Sequence, residues 1–422
     1  MFILSIKLNM VNKILAKLMC KLKYILIISL FISLFGCDNY DITSEQADTF
    51  VKVVGSRSSN TGMDIKDFNN GYLILATVTT SDNQEIVLLQ TDKFGNLISN
   101  GVDTLSSLRG GNNTASKLLL TLDGGFIVLG TVEDTANNNT DIYLNKFSAG
   151  LTSDWEKTIG TSDDETAASI QITDDGYIIA GSTDAQDVGN DNSHGSLDIY
   201  LVKIDDQGNV EWTENYGGSG DEYASDVILI NNGFLVVGTT NGFNGPGQAK
   251  DNIILVKTNT TGGDSDMETY GSSNNDYGNS LIKSSDGGFI ILGTVEDVTG
   301  SKSDIYVIKL ESESESESYI HNIIWDISHG GADLDDLGYE VIKSDGGYII
   351  VGSKELETGY AGYFLKIDSE GEVITEQTYG GYGQTMNAIE ATPDGGFVMT
   401  GSSGIEGSEM ISLIKVNSEG EL

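Results

Sequence analysis

Histidine, cysteine and proline are nearly absent from this chain, which holds 3, 2 and 2 of them among 422 residues. His194, His321 and His329 stand far apart and show no metal-ligand spacing, so they are expected to be exposed loop residues rather than a metal centre. Cys20 sits inside an N-terminal apolar leader, which leaves Cys37 alone and without a disulfide partner. Basic residues are also scarce. Lys and Arg number 23 against 63 Asp and Glu, a net charge of −40, and without residues 1–36 the balance is 18 against 63, or −45. Such a charge repels nucleic acid and anionic lipid, and suits a solvated surface that only provides solubility, a basic partner or divalent cations. The longest apolar run, residues 24–35, has twelve residues and is too short to cross a bilayer. No serine lies in a nucleophile elbow, and no glycine-rich phosphate loop precedes a helix. Paired carboxylates occur throughout so acidic a chain, which makes any single pair uninformative.

Glycine is abundant instead, at 52 residues, and it is periodic. A glycine before an aromatic residue and an apolar run falls at Gly71, Gly125, Gly176, Gly233, Gly288, Gly347 and Gly396, at intervals of 54, 51, 57, 55, 59 and 49. Seven copies of one module on short alternating runs predict stacked or radially arrayed β units. Each copy divides into four strands, A to D; around Gly233 these are 224–229, 234–239, 253–257 and a run ending at Tyr270-Gly271. A and B are joined by Asp-Gly or Asn-Gly turns such as Asp123-Gly124-Gly125 and Asn232-Gly233, where glycine supplies the positive φ of a tight hairpin. C and D are joined by turns with Asp or Asn three residues before Gly: Asp92 and Gly95, Asp205 and Gly208, Asn259 and Gly262, Asp368 and Gly371, Asn417 and Gly420. After Leu310 this turn is replaced by an acidic Glu-Ser insertion, 311–318, expected to protrude without structure. The last copy lacks strand D, while residues 50–55, FVKVVG, align with 212–217, WTENYG. The expected fold is therefore an all-β, seven-bladed propeller over 49–422, of four-stranded blades, closed by an N-terminal strand beside residues 412–416 that completes the last blade.

Residues 1–36 read as a secretory leader: Lys21 and Lys23 precede the apolar run, and Met19 would start a signal of ordinary length. Leu34-Phe35-Gly36-Cys37 resembles the bacterial lipoprotein cleavage box, and the resemblance implies a diacylglycerol on the Cys37 thiol. Residues 37–48 are polar and acidic and are expected to act as a flexible tether. Asp38 and Asp41 resemble the acidic export signals of some surface lipoproteins, which leaves outer membrane or cell surface as the expected location and the leaflet open.

The order of elements, a DGGFII or DGGYII run, then DIYLVKID with a following GNVEW, then YGG, looks like the seven-bladed β-propeller repeat proteins common among bacterial cell-surface and secreted proteins. The segment 204–212 also resembles the tryptophan-docking repeat of quinoprotein-type propellers. Trp155 and Trp325 occupy the places of Trp212, but Phe50, Leu105, Asp266 and Thr375 stand at the others, and no quinone-binding set can be carried over.

Strand direction alternates within a blade, so the tight A–B and C–D turns share one end of the propeller and the longer B–C loops and D–A connections share the other. Binding is expected at the B–C/D–A end, where a protein or glycan ligand would dock on an otherwise monomeric scaffold. The residues favour a non-enzymatic binding or scaffold module; a propeller hydrolase or lyase acting on glycans or lactones is the alternative, and convergent acids at the axis would mark it. At the start of strand A, Asp164 and Glu165, Asp221 and Glu222, Asp276 with Asn275, and Asp335 and Asp336 recur at one offset from the first glycine of the D–A connection. Ser59 and Asn60, Thr114 and Ala115, and Gln384 and Thr385 stand there in the other three copies. Two readings stay open: carboxylates converging on the channel mouth to bind Ca²⁺, or carboxylates that each accept backbone N–H groups of their own turn.

Overall fold

The apolar run after each A–B turn, such as Gly176–Thr183, is buried along its whole length, as expected of a strand covered on both faces by neighbouring sheets. The outermost strands instead alternate, as in Val373–Tyr379. The computed structural model describes residues 49–422 except 82, 106–109, 186–195, 243–249, 297–301, 313–321, 332–333 and 406–407. The expected leader and tether with Cys37, the residues His194 and His321, and most of the Glu-Ser insertion lie outside the described residues.

Seven four-stranded antiparallel sheets form the blades of a β-propeller. Their innermost A strands are Asn60–Phe68, Thr114–Leu120, Glu165–Thr173, Glu222–Ile230, Asp276–Lys283, Asp336–Ser344 and Ala388–Ala391, numbered here as blades 1 to 7. Each A strand lies against the A strands of both neighbouring blades, blade 7 against blade 1 included, so the ring closes. The outer strand of blade 7 is the N-terminal strand Phe50–Ser58, paired antiparallel with Ser408–Val416 in the register Phe50↔Lys415 to Val54↔Ile411. Chain start and chain end thereby share one sheet, which removes the unpaired edge an open array would carry.

The turns form as their residues dictate. Gly124 and Gly208 adopt φ of 82° and 77°, and Asp205 Oδ1 accepts the amides of Gln207 and Asn209 at 2.9 and 2.8 Å, an Asx-type cap. The core lies between blades in seven apolar clusters; the one joining blades 4 and 5 gathers Val237, Leu255, Leu281 and Ile291. Each such fully buried aliphatic side chain contributes about 1.5–3 kcal/mol by its removal from water.

A β-bulge interrupts strand A of blades 1 to 6, between Gly62 and Asp64, for example, or Ala167 and Ser169. The small residue before it is required by close approach: a Cβ on Gly62 would lie 2.1 Å from Thr400 Oγ1 on strand B of the preceding blade. The bulge frees backbone groups that the A–B ladder of its own blade cannot satisfy.

Candidate functional site

The first residue after the bulge is Asp64, Lys117, Ser169, Asp226, Ser280 and Glu340 in blades 1 to 6, with Ala388 at the same register in blade 7. These side chains tie each blade to the next. Asp64 accepts the amide of Leu118 in blade 2 at 2.8 Å, Asp226 that of Leu281 in blade 5 at 3.0 Å, and Glu340 that of Ile389 in blade 7 at 2.7 Å. Ser169 donates its hydroxyl to Asp226 at 2.7 Å. One layer away, the bulge residues Ser116 and Asn279, and Asn387 just before strand A of blade 7, donate to the carbonyls of Ala167, Gly338 and Gly62 in the following blades, at 2.8, 2.7 and 2.9 Å. Strand-B hydroxyls complete the pattern, with Thr77, Thr131 and Ser182 accepting the amides of Ala115, Ala167 and Ala224. Each small polar residue recurs because a bulge amide would otherwise be orphaned.

One contact crosses the axis. Lys117 of blade 2 meets Glu340 of blade 6 at 2.6 Å, although those blades are not neighbours in the ring, and so the pair closes the channel at this level. Lys66 bridges Asp64 and Glu390 at 3.1 and 3.4 Å beside it. Lys117 still keeps 25% of its side-chain surface, so water enters the axis even though protein surrounds the group on all sides. Burial opposes the charge on Asp64, yet Lys66 and Lys117 hold its carboxyl below the usual range. Burial pushes Asp226 up, with Lys117 offsetting it only in part, and it pushes Glu390 up against the pull of Lys66. Burial also works against the Lys117 ammonium, but Glu340 and Asp64 outweigh it and raise that group. This axial set of four acids and two lysines was not singled out in the sequence, where each member is one polar residue in an apolar strand. The recurring signal that could have found it is the polar position two residues after the small residue of strand A.

The acidic pairs at the start of strand A are placed differently from a converging ring. The second member of each pair is buried and caps its own D–A connection: Glu165 accepts the Thr161 amide at 2.7 Å, Glu222 the Gly218 amide at 2.7 Å, Asp336 the Gly331 amide at 3.2 Å, and Asp276 the Ser272 amide. Burial raises all four carboxyls. The first member reaches back to the preceding blade. Asp164 accepts the Thr140 amide at 2.7 Å and Asp335 accepts the Ser303 amide at 2.9 Å, whereas the amide of Asp221 donates to Asn241 within its own blade at 2.8 Å. Two alignments shift. In blade 2 the buried position is Asn113, not Thr114 or Ala115, because Thr114 already pairs with Thr131 inside the sheet. In blade 7 it is Gln384, one place earlier than the glycine count implies, since Thr385 bonds to Ser402 as Thr166 does to Ser182. The ring is then unbroken: Asn60, Asn113, Glu165, Glu222, Asp276, Asp336 and Gln384 are all buried. Among the described residues no group of three or more His, Cys, Asp or Glu is gathered to hold a metal ion.

His329 is not a loop residue. It ends strand D of blade 5 opposite Ile305, and its ring stacks on Tyr363 with the Tyr363 hydroxyl 2.8 Å from Nε2. Tyr363 donates in turn to Glu376, which Lys354 neutralises at 3.2 Å.

At the A–B/C–D end the tryptophans dock as their spacing implies. Trp155 Nε1 donates to the Asp206 carbonyl at 3.1 Å and Trp325 Nε1 to the Ser369 carbonyl at 3.2 Å, each in the next blade. Phe50, Asp266 and Thr375 take the place of Trp212, opposite Lys415, Lys257 and Lys366. Leu105 does not; it follows Thr104, which pairs with Val87, and so lies near the place of Tyr216, because the register of that D strand is irregular. Beside two of these positions lie grooves of about 430 and 310 Å³, floored by the ion pairs Lys309–Asp286 and Lys415–Asp394.

Among the described residues the exposed aromatics of the B–C/D–A end stand on blades 4 to 7. Tyr223 and Tyr382 are 49% and 76% exposed, and Tyr277, Tyr339 and Tyr360 are partly exposed beside them on blades 5 and 6. Much of the remaining B–C surface, 186–195, 243–249 and 297–301, lies outside the described residues.

No protein-family model matches the chain, and no curated protein sequence does. Among solved structures, the plexin A4 extracellular region, domains 1 to 8, aligns with 88% of this chain and 50% of its own at a TM-score of 0.52 and 8% identity. The Pyrococcus horikoshii acylaminoacyl peptidase gives 0.45 at 13% identity, over 83% of this chain and 50% of the peptidase. An α-L-arabinofuranosidase from Fusarium graminearum gives 0.46 at 9% identity, over 88% and 98% of the two chains. The chain spans about half the length of the plexin and peptidase chains it matches. At these identities the likeness is one of fold, and the plexin alignment agrees with the propeller seen here.

Proposed function

We propose that this chain is a non-enzymatic binding module, a propeller anchored to the cell envelope through a lipid on Cys37 and docking its ligand at the B–C/D–A end as a monomer. The observation that carries the reading is how the axial acids are occupied. Asp64, Asp226 and Glu340 each accept a backbone amide of the next blade, and Glu340 also takes Lys117 across the axis. Groups spent on holding seven sheets together are poorly placed to trade protons with a substrate. The raised carboxyls of Asp226 and Glu390 are the observation that favours the alternative, a glycan or lactone hydrolase or lyase. Turnover assays on glycoside, polyuronide and lactone substrates separate the two: no turnover is expected, and activity abolished by Glu390→Gln in a folded protein would overturn the binding reading. For the anchor, fatty-acid label is expected on the wild type and absent from Cys37→Ala; label persisting in that variant removes the assignment.

A further inference from the structure

The residue just before the small residue of strand A occupies one structural position in blades 1 to 6, which makes the repeat its own control. Blades 1, 2 and 3 place Thr61, Thr114 and Thr166 there, facing Thr77, Thr131 and Ser182 across the A–B pair. Blades 4 and 5 place Tyr223 and Tyr277 on the same backbone, opposite Thr239 and Thr294. Since the fold is met by threonine three times, it does not demand a phenol ring at this point, and Tyr223 leaves 49% of its surface in solvent.

The two tyrosines belong to one patch. Thr239, the cross-strand partner of Tyr223, accepts the amide of Gly278, the residue after Tyr277, at 3.2 Å. Asp251 joins the same spot from just before strand C of blade 4, its carbonyl accepting the Asp276 amide at 2.9 Å. After burial, the charges of Asp221 and Asp251 raise the Tyr223 phenol, and that of Asp251 raises the Tyr277 phenol, which places Asp251 within electrostatic reach of both rings. Glu296 completes the acids, receiving the Asn275 side chain at 3.0 Å. Among the described residues none of Asp221, Asp251 and Glu296 has an ion pair, whereas on blade 6 Lys302 neutralises Asp335 and Glu355.

We propose that Tyr223 and Tyr277, with Asp221, Asp251 and Glu296, form a subsite for a cationic segment of a partner protein, rich in arginine or lysine. The claim rests on the reading that ligands dock at the B–C/D–A end. Aromatic faces attract both sugars and cations; here carboxylates beside the rings that have no ion pair among the described residues, on a chain of net charge −40, decide for the cation. A guanidinium laid over a phenol ring would keep its N–H groups directed at the carboxylates, pairing dispersion and charge in one contact.

The test uses the full chain and three probes at physiological salt: a short peptide of alternating arginine and glycine, its neutral citrulline analogue, and a neutral chito-oligosaccharide. The arginine peptide is expected to bind saturably, at least about ten-fold more tightly than the citrulline peptide. The Tyr223→Thr/Tyr277→Thr double variant, which leaves the charge untouched and uses the residue of blades 1 to 3, is expected to lose about ten-fold in affinity with an unchanged melting temperature. Equal affinity of variant and wild type overturns the subsite, as does absence of peptide binding. If the oligosaccharide binds instead and is lost in the variant, the cationic class falls while docking at this end stands. If peptide binding is insensitive to the tyrosines but abolished by Trp325→Ala at the opposite end, both readings fall.

Discussion

Removing the ammonium that crosses the axis is the sharpest probe of how the ring is held. Lys117→Met keeps most of the apolar stem but deprives Glu340 of the partner 2.6 Å away, leaving that carboxylate with the Ile389 amide as its remaining contact. Breaking a buried pair from one side costs about 3–5 kcal/mol, since a charge stays behind uncompensated. Water reaches Lys117 and, less so, Glu340, whose side chains are 25% and 12% exposed, which places the expected cost at the lower end, about 3 kcal/mol. With an unfolding entropy of about 2.1 cal/mol/K per residue, a propeller of residues 49–422 has about 0.8 kcal/mol/K, so the melting temperature should drop by about 4 °C. The companion variant Glu340→Gln retains a carbonyl for the Ile389 amide and strands the lysine instead. The double variant should recover part of the loss, because a neutral pair of similar volume removes both desolvation costs while Asp64 and Asp226 still lack the charge of Lys117. Urea or thermal unfolding of all four proteins gives the coupling energy, expected near 2 kcal/mol. A single-variant cost below about 0.5 kcal/mol, or strict additivity, would show that the pair is solvated and that the axis is open.

Deleting residues 49–55 removes most of the outer strand of blade 7 and bares the edge of Ser408–Val416; aggregation on size-exclusion chromatography is expected, and a soluble monomer melting as the wild type would mean that closure is dispensable. Because Glu165, Glu222, Asp276 and Asp336 already accept amides of their own turns, millimolar Ca²⁺ should give neither calorimetric heat nor a melting shift, and a stoichiometric response lost in Asp276→Asn would restore the cation ring. Burial raises these four carboxyls together with Asp226 and Glu390, so the native chain binds protons more tightly than the unfolded one and stability falls as pH rises from about 4 through the raised values. The melting temperature should therefore climb as the pH falls through the raised values toward about 4. Asp286, held at about 2 by the Lys309 hydrogen bond, withdraws its stabilisation only at lower pH; a flat or inverted profile over the upper range would contradict the burial of the six acids.

What the sequence settled was whatever depends on neighbours along the chain. Glycine at positive φ, Asp caps in the C–D turns and the seven-fold spacing of apolar runs are local signals, and so the blades, their turns and the sealing of residues 50–55 beside residues 412–416 could be read from the chain, while the register Phe50↔Lys415 to Val54↔Ile411 came with the fold. The acids at the start of strand A could be found by counting from glycine, yet the count failed at Asn113 and Gln384, where the D–A connection differs in length while the buried position stays fixed. Lys117 and Glu340 are separated by 223 residues, and nothing local to either announces the other; their contact exists only once seven A strands surround one axis. The same is true of Tyr223 and Tyr277, which are unremarkable in their own strands and become a patch when adjacent blades bring them side by side. Pairing along a hairpin is encoded in a dozen residues, whereas contact across a ring depends on closure of the whole chain, and so only the tertiary structure could decide which polar residues meet.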